Sequence, residues 1–141
     1  MHGFVMQISA TLIISGEFLN PDEISKILNV VPHSSKRKGD VRTFKSKKTI
    51  IAKFGLWEWR SKDSSCVVTL NEHICTIAKN FAHVHNDFLN LPGVENAWID
   101  VHFVLGGEPD KISSASFFID TETISALYKM KVPVEITVDS I

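Results

Sequence analysis

The run Phe4-Val5-Met6-Gln7-Ile8-Ser9-Ala10-Thr11-Leu12-Ile13-Ile14 decides the architecture. Phe4, Met6, Ile8, Ala10, Leu12 and Ile14 fall on one side of a period-two pattern. Val5, Gln7, Ser9, Thr11 and Ile13 fall on the other, which is more polar. Eleven residues of that alternation describe a half-buried β-strand. Gly16 ends it. Asn20-Pro21-Asp22-Glu23 then carries the marks of a helix start: a side-chain cap, proline at the first helical position and acids in the first turn. Ile24, Ile27 and Leu28 give this short helix a buried stripe, which ends near Asn29 ahead of Pro32.

Working outward, Pro32 to Lys53 shows neither period and reads as a long basic loop, with a weak strand at Thr49 to Ala52 as an option. Phe54 to Arg60 is a strand with Trp57 and Trp59 on one face. Thr69-Leu70-Asn71-Glu72 fits a capping box. Behind it, Leu70, Ile74, Ile77, Phe81, Val84 and Phe88 recur at three- and four-residue spacings, which predicts a helix running to about Leu91, before Pro92-Gly93. Trp98 to Leu105 is a strand, with Ser114 to Ile119 its hairpin partner. A helix over Thr121 to Lys131 follows, with Ile124, Leu127 and Tyr128 inward, and a last strand holds Val132, Val134, Ile136 and Val138 on one face. A faint echo links Ala10–Ile14 and its helix to Ala115–Ile119 and its helix; duplication and common supersecondary geometry both account for it. Strands apolar on one side need one covering layer. The expectation is a single α+β domain over residues 1–141: a two-layer sandwich of a largely antiparallel sheet with three helices on one face.

The chain has 141 residues, 44% of them hydrophobic and 22% charged, within the globular range and without a membrane-length apolar window. Its net charge of −1 conceals an asymmetry. Lys36, Arg37, Lys38, Arg42, Lys45, Lys47, Lys48 and Lys53 share one stretch with a single acid, Asp40, giving it +7 and leaving −8 on the remaining 123 residues. Such a local field attracts nucleic acid, acidic protein or anionic head groups. Cys66 and Cys75 would lie about 14 Å apart on one helix, beyond disulfide reach, so they read as reduced packing thiols. Met1 to Ile14 has no signal-peptide pattern. A cytoplasmic protein is the expectation, with no membrane partner.

Few residues suggest chemistry. His83 and His85 point about 200° apart on a helix and cannot grip one ion; His73 and Cys75 fail for the same reason. No metal and no cofactor are expected. Asp100 and His102 share a strand face and could orient an imidazole for general-base work. No nucleophile accompanies them, and a solvated strand face carrying both is the plainer reading. Gly106-Gly107 lacks the Lys-Ser/Thr of a phosphate loop and fits a turn. The basic loop with Phe44, followed by Phe54, Trp57 and Trp59, combines positive charge with stacking aromatics, as nucleic-acid surfaces do; no nucleic-acid-binding motif accompanies it, and a solvated loop beside a core strand remains the alternative.

Ile14-Ser15-Gly16-Glu17-Phe18-Leu19-Asn20-Pro21-Asp22-Glu23-Ile24, then Leu28, Pro32 and Lys38-Gly39-Asp40, resembles the opening of the bacterial domain-of-unknown-function family 4279. The Gly55-Leu56-Trp57 strand, the capped helix from Thr69 and the final helix and strand also resemble that family's plan, across nearly the whole chain. The basic insertion Thr43 to Lys53 departs from it. The resemblance implies a small α+β domain without an established activity, and some small bacterial domains of this sort look like immunity proteins. The expected function is therefore a protein-binding module that is not an enzyme, of immunity type, occluding a cognate toxin. Candidate contacts are Arg37, Lys38, Arg42, Phe44, Lys45, Lys47 and Lys48, or, toward a basic partner, Asp100, His102, Glu135 and Asp139. A nucleic-acid-associated domain is the runner-up, and catalysis by Asp100 and His102 the third reading.

Overall fold

A computed structural model of the protein describes residues 4–61, 69–84, 87–106 and 117–140. The elements are β1 (Phe4–Gly16), α1 (Pro21–Leu28), β2 (Ser34–Lys36), β3 (Val41–Thr43), β4 (Thr49–Ile51), β5 (Gly55–Arg60), α2 (Leu70–Asn80), β6 (Asn96–Gly106), α3 (Thr121–Met130) and β7 (Val134–Ser140). A 3-10 turn covers Phe88–Asn90. Five strands form one sheet in the order β2-β5-β1-β6-β7, and β3 and β4 form a separate two-stranded sheet. The class is α+β, as the period-two and capped helical segments require.

Most of the sheet is antiparallel. Glu95, just before β6, donates to the Ser15 carbonyl near the end of β1. β2 runs antiparallel to β5, with Ser35 opposite Trp57. The exception is β6 with β7, which pair in parallel with Val101 opposite Ile136. A parallel neighbour needs a crossover, and α3 lies in the connection between the two strands. Of the expected hairpin strand Ser114 to Ile119, residues 114–116 lie outside the described residues, and 117–119 carry no strand. β7 stands beside β6 instead.

The chain groups into two compact units, one of 1–12, 60–83 and 98–141, the other of 13–59 and 84–97. In the first, Ile8, Ala10 and Leu12 of β1 and Ile99, Val101, Phe103 and Leu105 of β6 are buried, each set from alternate positions. Leu70, Ile74 and Ile77 supply the stripe of α2. Thr69 caps that helix by accepting from the Glu72 amide at 3.1 Å. Asn71 holds the approach to α3: its Nδ2 donates to the Phe118 carbonyl and its Oδ1 accepts from the Asp120 amide. Asp120 in turn caps α3, accepting from the Thr123 amide at 2.8 Å.

Two helices differ from their sequence patterns. α2 stops at Asn80, whose side chain donates back to the Thr76 carbonyl and competes with the backbone. Phe88 still reaches a buried position, but from the separate 3-10 turn. On α3 the buried position is Thr123, with Ala126 and Leu127 half-buried, while Ile124 and Tyr128 face out. Periodicity could not separate the two faces because apolar residues occupy both.

In the second unit, Asn20 caps α1 by accepting from the Asp22 and Glu23 amides, and Asn29 closes the helix in the left-handed region. Trp57 is fully buried and its Nε1 donates to Ser25 Oγ on α1 at 2.9 Å. Three glycines meet around Leu19. A Cβ on Gly16 would lie 1.9 Å from the Gly93 carbonyl oxygen, and one on Gly55 would lie 2.7 Å from the Leu19 carbonyl oxygen. Close backbone approach, unavailable to any residue with a Cβ, is the physical content of the Ile-Ser-Gly and Gly-x-Trp patterns.

Candidate functional site

The stretch expected to be a loop is a β-hairpin. Arg37-Lys38-Gly39-Asp40 turns the chain into it: the Asp40 amide donates to the Arg37 carbonyl, and Asp40 Oδ2 accepts from the Arg37 amide at 2.8 Å. Gly39 has φ +93°, the positive value that the third position of such a turn requires. Bonds between Ala52 and both Gly39 and Asp40 close the base. Above it, β3 and β4 pair with Val41 opposite Ile51, Arg42 opposite Ile50 and Thr43 opposite Thr49. The optional strand at Thr49 to Ala52 is β4 (Thr49–Ile51); β3 was hidden because the two strands are three residues each and neither alternates cleanly against a core.

The hairpin tip runs Phe44-Lys45-Ser46-Lys47-Lys48. The Lys47 amide donates to the Phe44 carbonyl, and the Phe44 amide to the Lys48 carbonyl. This is the three-residue hairpin loop, whose last loop position is left-handed and favours glycine. Lysine occupies it here, with φ +65°. A side chain in that region costs about 1 kcal/mol or more. Cationic charge at the tip is thus present at the expense of backbone comfort.

Register sorts the hairpin into two faces. Arg42, Phe44, Lys48 and Ile50 share one; Val41, Thr43, Thr49 and Ile51 share the other. Both are in solvent. Val41 is 63% exposed, Ile50 51%, Ile51 60% and Phe44 37%. The Arg42 guanidinium sits 4.8 Å from the Phe44 ring centroid, a cation–π contact that holds both side chains on one face. At the base, Lys36 lies over the Phe54 ring and Lys38 over the Phe18 ring.

Ion pairing divides the basic residues. Arg37 pairs with Asp22 of α1 at 2.6 Å and Lys38 with Glu17. These two cations are tied to the body of their unit. Among the described residues, no carboxylate pairs with Arg42, Lys45, Lys47 or Lys48. The seven candidates therefore belong to one element and its base, but only four of the six cations among them present uncompensated charge.

Asp100 and His102 belong to the other unit, on β6. They share a strand face, yet the imidazole takes a different carboxylate. His102 Nε2 lies 2.6 Å from Asp139 Oδ2 on β7. The carboxylate can only accept, so Nε2 carries the proton. Asp100 stands opposite Glu135. The pair is largely in solvent and has the character of a cross-strand surface bridge. Asp120 has its carboxyl held below the usual carboxylate range by the bonds it accepts from the Thr123 backbone and side chain. Its role is to cap α3.

Sequence reasoning missed a Ser–His contact. Ser61 Oγ lies 2.9 Å from His73 Nδ1, and both residues are fully buried. A hydroxyl beside an imidazole is the arrangement of an activated nucleophile, but no substrate reaches a hydroxyl with no exposed surface. The pair satisfies polar groups inside the first unit. The signal was available: His73 falls on the same α2 stripe as Leu70, Ile74 and Ile77. Cys75, half-buried on that helix, has its Sγ 3.8 Å from Thr123 Oγ1; Cys66 lies outside the described residues. No cluster of three metal-ligating side chains occurs among the described residues, and no described helix is long and apolar enough to cross a membrane.

With this geometry in hand, the chain can be compared with known families. The family described as Domain of unknown function (DUF4279) matches residues 6–140. No curated protein and no solved structure matches the chain significantly. The chain belongs to the DUF4279 family, and the resemblance carried by the Ile14-Ser-Gly16 to Lys38-Gly39-Asp40 run holds over nearly its whole length.

Proposed function

We propose that this domain is a cytoplasmic protein-binding module whose β3–β4 hairpin docks on a partner, and that the partner is a cognate bacterial toxin neutralised by occlusion, as an immunity-type protein does. One observation carries the reading. A hairpin exposed on both faces presents Val41, Phe44, Ile50 and Ile51 together with Arg42, Lys45, Lys47 and Lys48, none of the four cations paired with a described carboxylate. Clustered apolar side chains rimmed by charge mark recognition surfaces. An aromatic beside an arginine is the composition of an interface anchor, and Arg42 over Phe44 supplies it. Uncompensated cations steer an acidic partner and select against a basic one. The reading assigns binding and no turnover.

The test is co-expression with the protein encoded next to this one, followed by purification of the complex and titration. The reading expects a complex tighter than about 1 μM that loses affinity when Phe44 and Ile50 are replaced by serine. A complex unaffected by those changes contradicts it. The Arg42–Phe44 stack also favours a second reading, a nucleic-acid surface. That reading expects retention on RNA or DNA with affinity falling steeply with salt, and weak dependence on Ile50.

A further inference from the structure

The β3–β4 hairpin is a narrow finger. Every residue from Val41 to Ile51 is exposed, and Ala52 at the base is buried. The four steps from Asp40 to Phe44 reach roughly 14 Å at about 3.4 Å per residue, and paired strands lie about 4.8 Å apart. The base is fixed. Ala52 bonds to Gly39 and Asp40, while Arg37 and Lys38 pair with Asp22 and Glu17. A partner therefore meets a preformed shape and has little to order on binding.

Apolar side chains stand on both faces of this finger. Phe44 and Ile50 lie on one, Val41 and Ile51 on the other, all of them exposed. A flat partner covers one face and leaves the other in water. A cleft covers both, with its walls against the four apolar side chains and its floor at the tip. The tip is cationic: Lys45, Lys47 and Lys48 lie within four residues, and residues 41–53 include no acid. Lys47 keeps its place at φ +65°, where glycine is the favoured residue. A floor that receives these ammonium groups has to supply carboxylates, because a charge buried without a partner is strongly unfavourable.

We infer, on the basis of the proposed docking through this hairpin, that the finger enters the active-site cleft of its partner, an enzyme that cleaves glycosidic bonds with a pair of Asp/Glu residues. Such a cleft is negative by construction, since its two carboxylates flank an oxocarbenium-like, positively charged transition state. A lysine ammonium at the tip takes the place of that developing charge, which the site is built to hold more tightly than substrate. A nuclease cleft is the opposite case: it gathers lysine and arginine for phosphate and repels the tip.

The test uses the full chain in complex with the protein encoded next to it. A carbodiimide joins a lysine amine to a carboxylate in direct contact, and mass spectrometry identifies the joined residues. Lys45, Lys47 or Lys48 should be joined to partner carboxylates whose replacement by Asn or Gln abolishes the partner's growth inhibition in cells lacking this domain. The partner should cleave the glycosidic bond of NAD+ or of murein sacculi, and an equimolar amount of the domain should stop it. Lys47→Gly, which suits the left-handed tip, should weaken the complex at least about tenfold. Lysines joined only to carboxylates that growth inhibition does not need overturn the proposal, as does a partner that cleaves DNA or RNA, or one that cleaves neither glycoside probe. In each of these cases a complex that still depends on Phe44 and Ile50 leaves docking through the hairpin standing. A complex indifferent to those two residues, or no complex, removes both.

Discussion

Replacing Gly16 by alanine places a Cβ 1.9 Å from the Gly93 carbonyl oxygen, 3.1 Å from the Gly93 carbonyl carbon and 3.3 Å from the Glu95 amide nitrogen. Ordinary contact needs about 3.4 Å or more, so the carbonyl must retreat by well over an ångström. It is not free to do so. The Glu95 amide donates to the Ser15 carbonyl at 2.8 Å, and Glu95 Oε1 accepts from the Glu17 amide at 2.7 Å, which fastens this segment to the end of β1. Breaking one such bond costs about 1 kcal/mol, and overpacking a tight backbone contact adds about 1–3 kcal/mol. The reduced entropy of the unfolded alanine chain offsets about 0.4–1 kcal/mol. The net loss is about 1–3.5 kcal/mol, or roughly 3–12 °C in Tm for a chain of this size. Gly39 supplies the control. A Cβ there meets nothing within 4 Å, and only φ +93° opposes it; Gly39→Ala should cost about 1 kcal/mol. Urea denaturation of both variants decides between steric closure and turn geometry. A Gly16→Ala protein within about 1 kcal/mol of wild type, or no more affected than Gly39→Ala, would refute the reasoning.

Other expectations follow from single sites. Lys47→Gly relieves the left-handed strain at the hairpin tip and should raise stability by about 0.5–1 kcal/mol, while weakening partner binding through the lost cation; a destabilised variant in the same denaturation assay would argue against the tip geometry. Because the Asp120 carboxyl is depressed by its bonds to Thr123, its capping contribution is fully present above the ordinary carboxylate range and is lost as pH falls through the lowered value. Asp120→Ala should flatten that part of the acid-unfolding profile, and an unchanged profile would remove the assignment. His102→Ala breaks an exposed bridge to Asp139 and should change stability by less than about 1 kcal/mol, measurable by thermal melting.

Much of the fold was legible because its signals are local. Asn20-Pro21-Asp22-Glu23 caps a helix by chemistry that any sequence displays, and the alternation of β1 follows from burying one face. What the sequence hid was non-local. The partner of β6 is settled by the crossover through α3, so β7 could not be distinguished from Ser114–Ile119 by pattern. His102 takes Asp139 rather than Asp100 because the neighbouring strand offers a carboxylate diagonally, two residues beyond its direct partner Thr137, and two residues apart on one strand is no guarantee of contact. The seven basic and aromatic candidates of the hairpin and its base were singled out by charge density and neighbouring aromatics. Their division into cations tied to Glu17 and Asp22 and cations left in solvent depends on where α1 and the end of β1 fall, which composition does not encode. Of the hairpin only β4 left a signal, the weak strand at Thr49 to Ala52; β3 left none because these strands bury nothing.

Calorimetric titration of the purified neighbouring-gene product with the wild-type domain, and with a variant carrying Phe44→Ser and Ile50→Ser, tests docking through the hairpin most directly. Loss of these two apolar contacts should weaken binding by about 30-fold or more, the equivalent of about 2 kcal/mol at an interface anchor, with the fold intact by circular dichroism. Equal affinity for the two proteins would place the interface elsewhere and contradict the reading.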